Sequence, residues 1–113
     1  MKKYKFNTMQ RGWFIGDFSP SVFKTKKFEV GYLSHKKNEK WETHYHKKSI
    51  EYNLLVKGKM KVNGKIINKG EIFVFKEGEV CSPVFLKNCE IVVVKVPSLP
   101  KDKFVVKKKW IKG

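Results

Sequence analysis

Alanine is absent from this 113-residue chain, arginine occurs once, aspartate only at Asp17 and Asp102, and cysteine only at Cys81 and Cys89. Each shortage excludes something. Without alanine, and with abundant Val, Ile, Phe, Tyr and Trp, long helices are disfavoured and pleated, half-buried strands are favoured. The longest apolar runs, Ile72–Phe75 and Ile91–Val94, fall far short of the ~20 residues a membrane-spanning helix needs, so no membrane association is expected. The start, Met1-Lys-Lys-Tyr-Lys-Phe, is basic, but no apolar signal core follows it, and a cytoplasmic location is expected. Cys81 and Cys89 form neither a C-x-x-C pair nor a zinc spacing, and in a cytoplasmic protein they are expected as free thiols.

Charge is present in excess and of one sign. Lys and Arg total 26 against 10 Asp and Glu, for a formal net charge of +16; of the 26, only Arg11 is arginine. Arginine is the residue suited to bidentate phosphate and guanine contacts, whereas lysine acts as a point charge. The lysines are also spread along the chain, densest at Lys107-Lys108-Lys109. No specific nucleic-acid role is expected, and the lysines read mainly as a solvated surface. Such a field still attracts anionic small molecules and raises their association rates.

The length suits one domain, with enough chain for one core. From Phe28 to Val96 the sequence reads as short strands separated by turns. Phe28–Leu33, Ile50–Val56, Lys59–Val62, Lys65–Ile67, Glu71–Phe75, Val80–Leu86 and Cys89–Val96 are the expected strands. Asn63-Gly64 between alternating runs predicts a type I′ hairpin. Strands at about ten-residue spacing with tight turns indicate an antiparallel sandwich or barrel. The expected fold class is all-β, in a single domain over 1–113. It divides into an arm (1–27) carrying Trp13, Phe14, Phe18 and Phe23, a barrel core (28–97), and a lysine-rich tail (98–113). The arm is expected to lie across the barrel or against a neighbouring subunit. Phe104–Val106 and Trp110-Ile111 in the tail read as an edge strand or a dimer contact, and a homodimer is expected.

Chemistry concentrates in Thr43-His44-Tyr45-His46-Lys47-Lys48-Ser49-Ile50-Glu51. On a strand, residues i and i+2 share a face, so His44 and His46 are expected to point into one space and Tyr45 away from it. Two imidazoles and the Glu51 carboxylate facing a barrel interior suit a borderline divalent metal such as Zn, Fe, Mn or Ni. The same residues also read as acid–base or ligand contacts in a metal-free pocket. By alternation Asn53 shares the face of Glu51. Trp41 and Glu42 are candidates for the mouth, His35 is expected as an exposed loop residue, and Cys89 as core.

These residues resemble the cupin superfamily, whose first motif reads G-x5-H-x-H-x(3,4)-E-x6-G. His44, His46, Glu51 and Gly58 match its spacing, while Asn38 stands at the opening glycine. The second motif reads G-x5-P-x-G-x2-H-x3-N. Gly70 and Gly78 fit it, but Lys76, Cys81 and Phe85 replace its proline, histidine and asparagine. The resemblance covers about residues 28–97 and implies an antiparallel double-stranded β-helix, or jelly-roll barrel. It implies a metal site of His44, His46 and Glu51, with Cys81 at the position of the last ligand. It also implies small-molecule enzymology, with His44, His46 and Glu51 as the catalytic residues.

Three functions are carried forward. The first is a metal-assisted enzyme acting on a polar, carbohydrate-like or anionic substrate. The second is a metal-free sugar-nucleotide isomerase or epimerase using histidine acid–base chemistry, for which His44-Tyr45-His46-Lys47 resembles the H-x-H-K of such ketoisomerases. The third is a non-catalytic module that sequesters an anionic metabolite or nucleotide.

Overall fold

The Asn63-Gly64 pair has φ of +50° and +81°, the left-handed geometry a type I′ turn requires, and it closes a hairpin in which Val62 faces Lys65. This is one of a series of antiparallel pairings. The protein, seen here as a computed structural model, is described over residues 1–106. After a short 3-10 turn at Phe6–Thr8 come the strands β1 (Trp13–Ile15), β2 (Glu29–His35), β3 (His44–Tyr45), β4 (Ile50–Lys57) and β5 (Lys59–Val62). They are followed by β6 (Lys65–Asn68), β7 (Ile72–Phe75), β8 (Pro83–Phe85), β9 (Cys89–Val96) and β10 (Phe104–Val105).

A five-stranded sheet in the order β1-β2-β9-β4-β7 forms one layer, and β6-β5-β8 and β10-β3 form two smaller sheets. A bridge between His44 and Cys81 links β3 to the segment before β8. The architecture is all-β and antiparallel, as expected. The arm contributes β1 to the edge of the large sheet, with Trp13 opposite Gly31. The tail contributes β10, which pairs Phe104 with Tyr45 and Val105 with His44; Trp110-Ile111 lies outside the described residues. The strand expected over Val80–Leu86 shortens to Pro83–Phe85. Pro83 has no N–H to give a ladder, and the Asn63 side chain takes up the Val80 carbonyl and the Ser82 N–H instead.

Cross-strand register sorts the large sheet into rows. Gly31, Val93, Asn53 and Phe73 form one inward row, and Glu29, Lys95, Glu51 and Phe75 the next. Toward the far end of the sheet the interior is apolar: Leu55, Met60, Val62, Phe85, Cys89 and Ile91 are buried together. Gly58 closes that end at φ +99°, where a Cβ would lie 2.3 Å from the Asn88 carbonyl oxygen and 2.8 Å from Cys89 Sγ. Only glycine fits there.

His35 corrects an expectation. It is buried at the end of β2, stacked on Phe85 with ring centroids 4.3 Å apart and edge-on to Trp41 at 4.9 Å. Its Nδ1 contacts Glu39 Oε2 at 2.8 Å. Alternation in β2 places His35 on the inward face with Glu29, Gly31 and Leu33, and the aromatic surface of Phe85 outweighs its polarity.

Candidate metal centre and pocket

β3 carries His44, and the residue just past its end, His46, to the charged end of the barrel, and β4 brings Glu51 to face them. Both imidazoles are buried. The Nδ1–H of His44 donates to the Glu42 carbonyl at 2.9 Å, and that of His46 donates to the Asp102 carbonyl. A carbonyl can only accept, so each Nδ1 carries the proton and each Nε2 is left with its lone pair toward the interior. His46 Nε2 lies 3.2 Å from Glu51 Oε2, yet it is a buried polar atom with no hydrogen-bond partner among the described residues. Ligand atoms of His44, His46 and Glu51 all lie within 4.8 Å of one another. Two imidazole lone pairs and a carboxylate converging on one point repel unless a proton or a cation stands between them. This donor set fits a divalent metal.

Local electrostatics keep the donors available. Burial holds His44 below the ordinary histidine range, with a further push from the Lys103 charge, against the Glu42 hydrogen bond. Burial alone would raise Glu51, but His46 in its doubly protonated form, donating to Oε2, and the Asn53 amide outweigh that and hold it below the usual carboxylate range. Asn53 Nδ2 donates to Glu51 Oε1 at 3.2 Å, orienting the carboxylate.

The tail supports His46 from behind. The Asp102 carboxylate accepts the backbone N–H groups of Lys47 at 3.0 Å and of Lys48 and Ser49 at 2.9 Å. This clamp fixes the turn between β3 and β4 and sets the Asp102 carbonyl against His46. Burial raises Asp102, but those three donors outweigh it and keep it below the ordinary range.

Cys81 is brought beside His44: its N–H donates to the His44 carbonyl at 2.7 Å and its carbonyl accepts the His44 N–H at 3.0 Å. Its sulfur does not join the three-donor cluster. Burial, followed by the Glu51 charge, pushes the thiol up to about 12, so it is a neutral S–H at physiological pH. Cys81 and Cys89 are both free and buried. Cys89 packs under Gly58 in the core, as expected. Tyr45 turns away from the site and stacks on Phe104 at 5.5 Å.

The site opens into a cavity of about 670 Å³ lined by His44, His46, Glu51 and Asn53 together with Trp13, Glu29, Trp41, Lys95 and Lys103, a size suited to a small molecule. Arg11 stands at its exposed edge, and the Lys103 ammonium lies 4.6 Å over the Trp41 ring. A second cavity of about 610 Å³ lies under the arm, lined largely by Tyr4, Phe6, Phe14 and Tyr32, and among the described residues it holds no comparable cluster.

Sequence reasoning missed Glu29, Lys95 and Asp102. Lys95 Nζ and Glu29 Oε1 are 3.6 Å apart with both side chains nearly inaccessible. Burial raises Glu29, against the Lys95 charge and the Leu99 N–H. A signal was available: Cys89, Ile91 and Val93 set the inward parity of β9, and Lys95 continues it.

No family model and no curated protein matches the sequence; the likeness is structural. An uncharacterized conserved protein with a double-stranded β-helix domain from Klebsiella pneumoniae superposes with a TM-score of 0.68 at 18% identity, covering 77% of this chain and 76% of its own. The fold is that of the cupins. The DMSP lyase DddQ from Ruegeria pomeroyi gives a TM-score of 0.68 at 10% identity, over 92% of this chain and 59% of that one. The pirin YhhW from Escherichia coli, solved in complex with nickel(II), gives 0.63 at 14% identity over 80% and 41%. Departures from the cupin motifs have structural substitutes here. Asn38, at the place of the opening glycine, holds φ +63°, a conformation asparagine tolerates better than most residues. Lys76, in place of proline, donates its N–H to Glu79 Oε1 at 3.0 Å, which orders the same turn.

Proposed function

We propose that the protein is a metal-assisted small-molecule enzyme of the cupin type, acting on a polar, anionic substrate in the barrel cavity. The observation that carries this reading is the buried His46 Nε2, without a hydrogen-bond partner among the described residues and facing Glu51 and His44 across a few ångströms. His44, His46 and Glu51 would hold the metal, with Cys81 a neutral neighbour that closes the wall. A bound divalent ion supplies Lewis-acid polarisation of a substrate oxygen. The chain supplies the rest. Glu42 and Asp102 lock both histidines in one tautomer, and Asn53 orients Glu51. Lys103 and Arg11 draw an anion to the mouth, and Trp13, Trp41 and Phe73 exclude water from the walls.

A metal-free reading draws on the same contact: the His46–Glu51 pair is an acid–base dyad in form, with His46 oriented by a carbonyl. Elemental analysis of tag-free protein beside the His44→Ala, His46→Ala double variant decides between them. Near-stoichiometric metal in wild type, lost in the variant, is the expected result. Metal absent from both after loading with Zn, Mn, Fe and Ni leaves acid–base chemistry on a sugar nucleotide, or sequestration without turnover, as the function.

The assembly belongs to the same reading. Two outward rows of the large sheet, Val30-Val94-Tyr52-Val74 and Tyr32-Val92-Leu54-Ile72, carry no lysine in a chain of net charge +16. Ile72 is 70% exposed. A second copy of so cationic a chain approaches best where no lysine stands, so the occupant is a second copy, related by a two-fold axis in a cytoplasmic homodimer. Light scattering is expected to give the dimer mass for wild type and the monomer mass for Ile72→Lys.

A further inference from the structure

We propose that Lys95 is an anion-binding residue inside the pocket, receiving a carboxylate or similar oxyanion of the ligand while Glu29 positions its ammonium. The inference deepens the reading of the cavity as a substrate site by naming the group the substrate carries and the residue that meets it.

Lys95 sits near the end of β9, the central strand of the large sheet, facing inward, directly opposite Glu29 on β2 and Glu51 on β4. It is 5% exposed. Lysine is among the residues least often buried, because an ammonium removed from water must recover its hydrogen bonds from the protein. Among the described residues no side-chain hydrogen bond of normal length returns them. Its ion-pair partner is Glu29 Oε1 at 3.6 Å, beyond hydrogen-bond length. That same oxygen already accepts the Leu99 N–H at 3.0 Å. An ammonium has three donors, and no hydrogen bond joins Lys95 to another side chain among the described residues. Its head lies 5.9 Å from the centroid of the Trp13 ring, and Trp13 can lie there only because Gly31 has no side chain. A Cβ on Gly31 would stand 2.7 Å from the ring. The sequence has thus placed a glycine, a tryptophan and a glutamate around one buried lysine, and the cavity that Trp13, Glu29 and Lys95 line is the one that holds His44, His46 and Glu51.

Spacing selects the ligand. Lys95 and Glu51 are direct cross-strand neighbours on one face, so their Cβ atoms lie about 5 Å apart. A molecule with one oxygen at the three-donor cluster and a second anionic group a few bonds away spans both. The charges agree: Glu29 and Glu51 against Lys95 and one divalent ion leave the loaded pocket cationic. The class is therefore a short carboxylate bearing a second oxygen donor.

Malonate is a suitable probe, titrated by calorimetry at low salt into metal-loaded wild type, Lys95→Met, and the exposed-site control Lys61→Met. Saturable binding by wild type is expected, weakened at least about tenfold in Lys95→Met and unchanged in Lys61→Met. Because Lys95→Met leaves Glu29 buried without its partner, the double variant Glu29→Gln, Lys95→Met is measured alongside; it removes both charges and is expected to fold and to show the same loss. Metal content read on each variant separates the two proposals: Lys95→Met is expected to keep its metal. Wild type that binds no malonate, or a folded double variant that binds it as tightly as wild type, overturns the assignment. If wild type holds no metal, the metal-centre reading fails on its own count, and the same titration of the metal-free protein, with the same losses expected, decides the role of Lys95.

Discussion

The two ends of the barrel interior are built from the same strands and do opposite things. In β4, Leu55 lies in the apolar end and Glu51 in the charged one; in β9, Cys89 and Ile91 contrast with Lys95; in β2, His35 stacks on Phe85 while Glu29 pairs with Lys95. At the apolar end the buried side chains are mostly hydrocarbon and gain by leaving water, so that end supplies stability. At the charged end Glu29, Lys95, Glu51, His44 and His46 are held out of water at a cost, offset partly by Asn53, Leu99 and the carbonyls of Glu42 and Asp102. Groups kept there at such a cost are available to a ligand. The strands thus couple a stabilising end to a strained, receptive one within two or three residue rows.

Substitutions should separate the two ends. The largest effect is expected at the apolar end, where Phe85 is 2% exposed. Phe85→Ala should cost about 3–5 kcal/mol in urea unfolding, while the protein that remains folded keeps its metal. Next is the clamp: Asp102→Ala frees three backbone N–H groups and should cost about 1–3 kcal/mol. It should also lower metal affinity on the order of tenfold by loosening His46. Glu51→Gln should change the stability of metal-stripped protein by no more than about 1 kcal/mol, because a glutamine amide of the same shape can donate to the His46 Nε2 lone pair, yet it should abolish metal retention in elemental analysis. A loss of several kcal/mol in Glu51→Gln would erase the contrast between the ends.

The smallest effects are read by pH and by reagents. Asp102 is held below its ordinary range in the folded state. The unfolded chain therefore takes up the proton first as pH falls. Its contribution is whole above the ordinary aspartate value and is lost as pH drops through the lower folded value. Unfolding followed between pH 5 and pH 2 should show this acid loss in wild type and a shallower slope in Asp102→Asn. Cys81, with its thiol pushed up to about 12, should stay unmodified by iodoacetamide at pH 7.5 in the folded protein and react once it is unfolded.

Much of this contrast was legible before any coordinates. Val, Ile and Phe alternation placed the strands, Asn63-Gly64 placed a hairpin, and the spacing of His44, His46 and Glu51 placed three donors in one space. His35 was not legible as a buried residue, because a lone histidine near the end of a strand reads equally well as loop; the aromatic surface that buries it, Phe85, comes from β8. Nor was Asp102, since nothing local says that a tail aspartate closes the turn between β3 and β4. Lys95 was hidden by company: among 26 positive residues one more lysine reads as surface, unless its parity is counted along β9.

What the sequence determined by itself is what short-range physics decides. Backbone propensity, the period of two along a strand and the left-handed turn residues act over a few positions, and they suffice for an antiparallel barrel and its histidine pair. Tertiary structure alone decided which charges meet. Glu29 and Lys95, or His46 and Asp102, become neighbours only when register aligns strands distant in sequence, and burial then changes the meaning of each charge, because an ammonium or carboxylate that would be indifferent in water becomes a demand for a partner once water is removed.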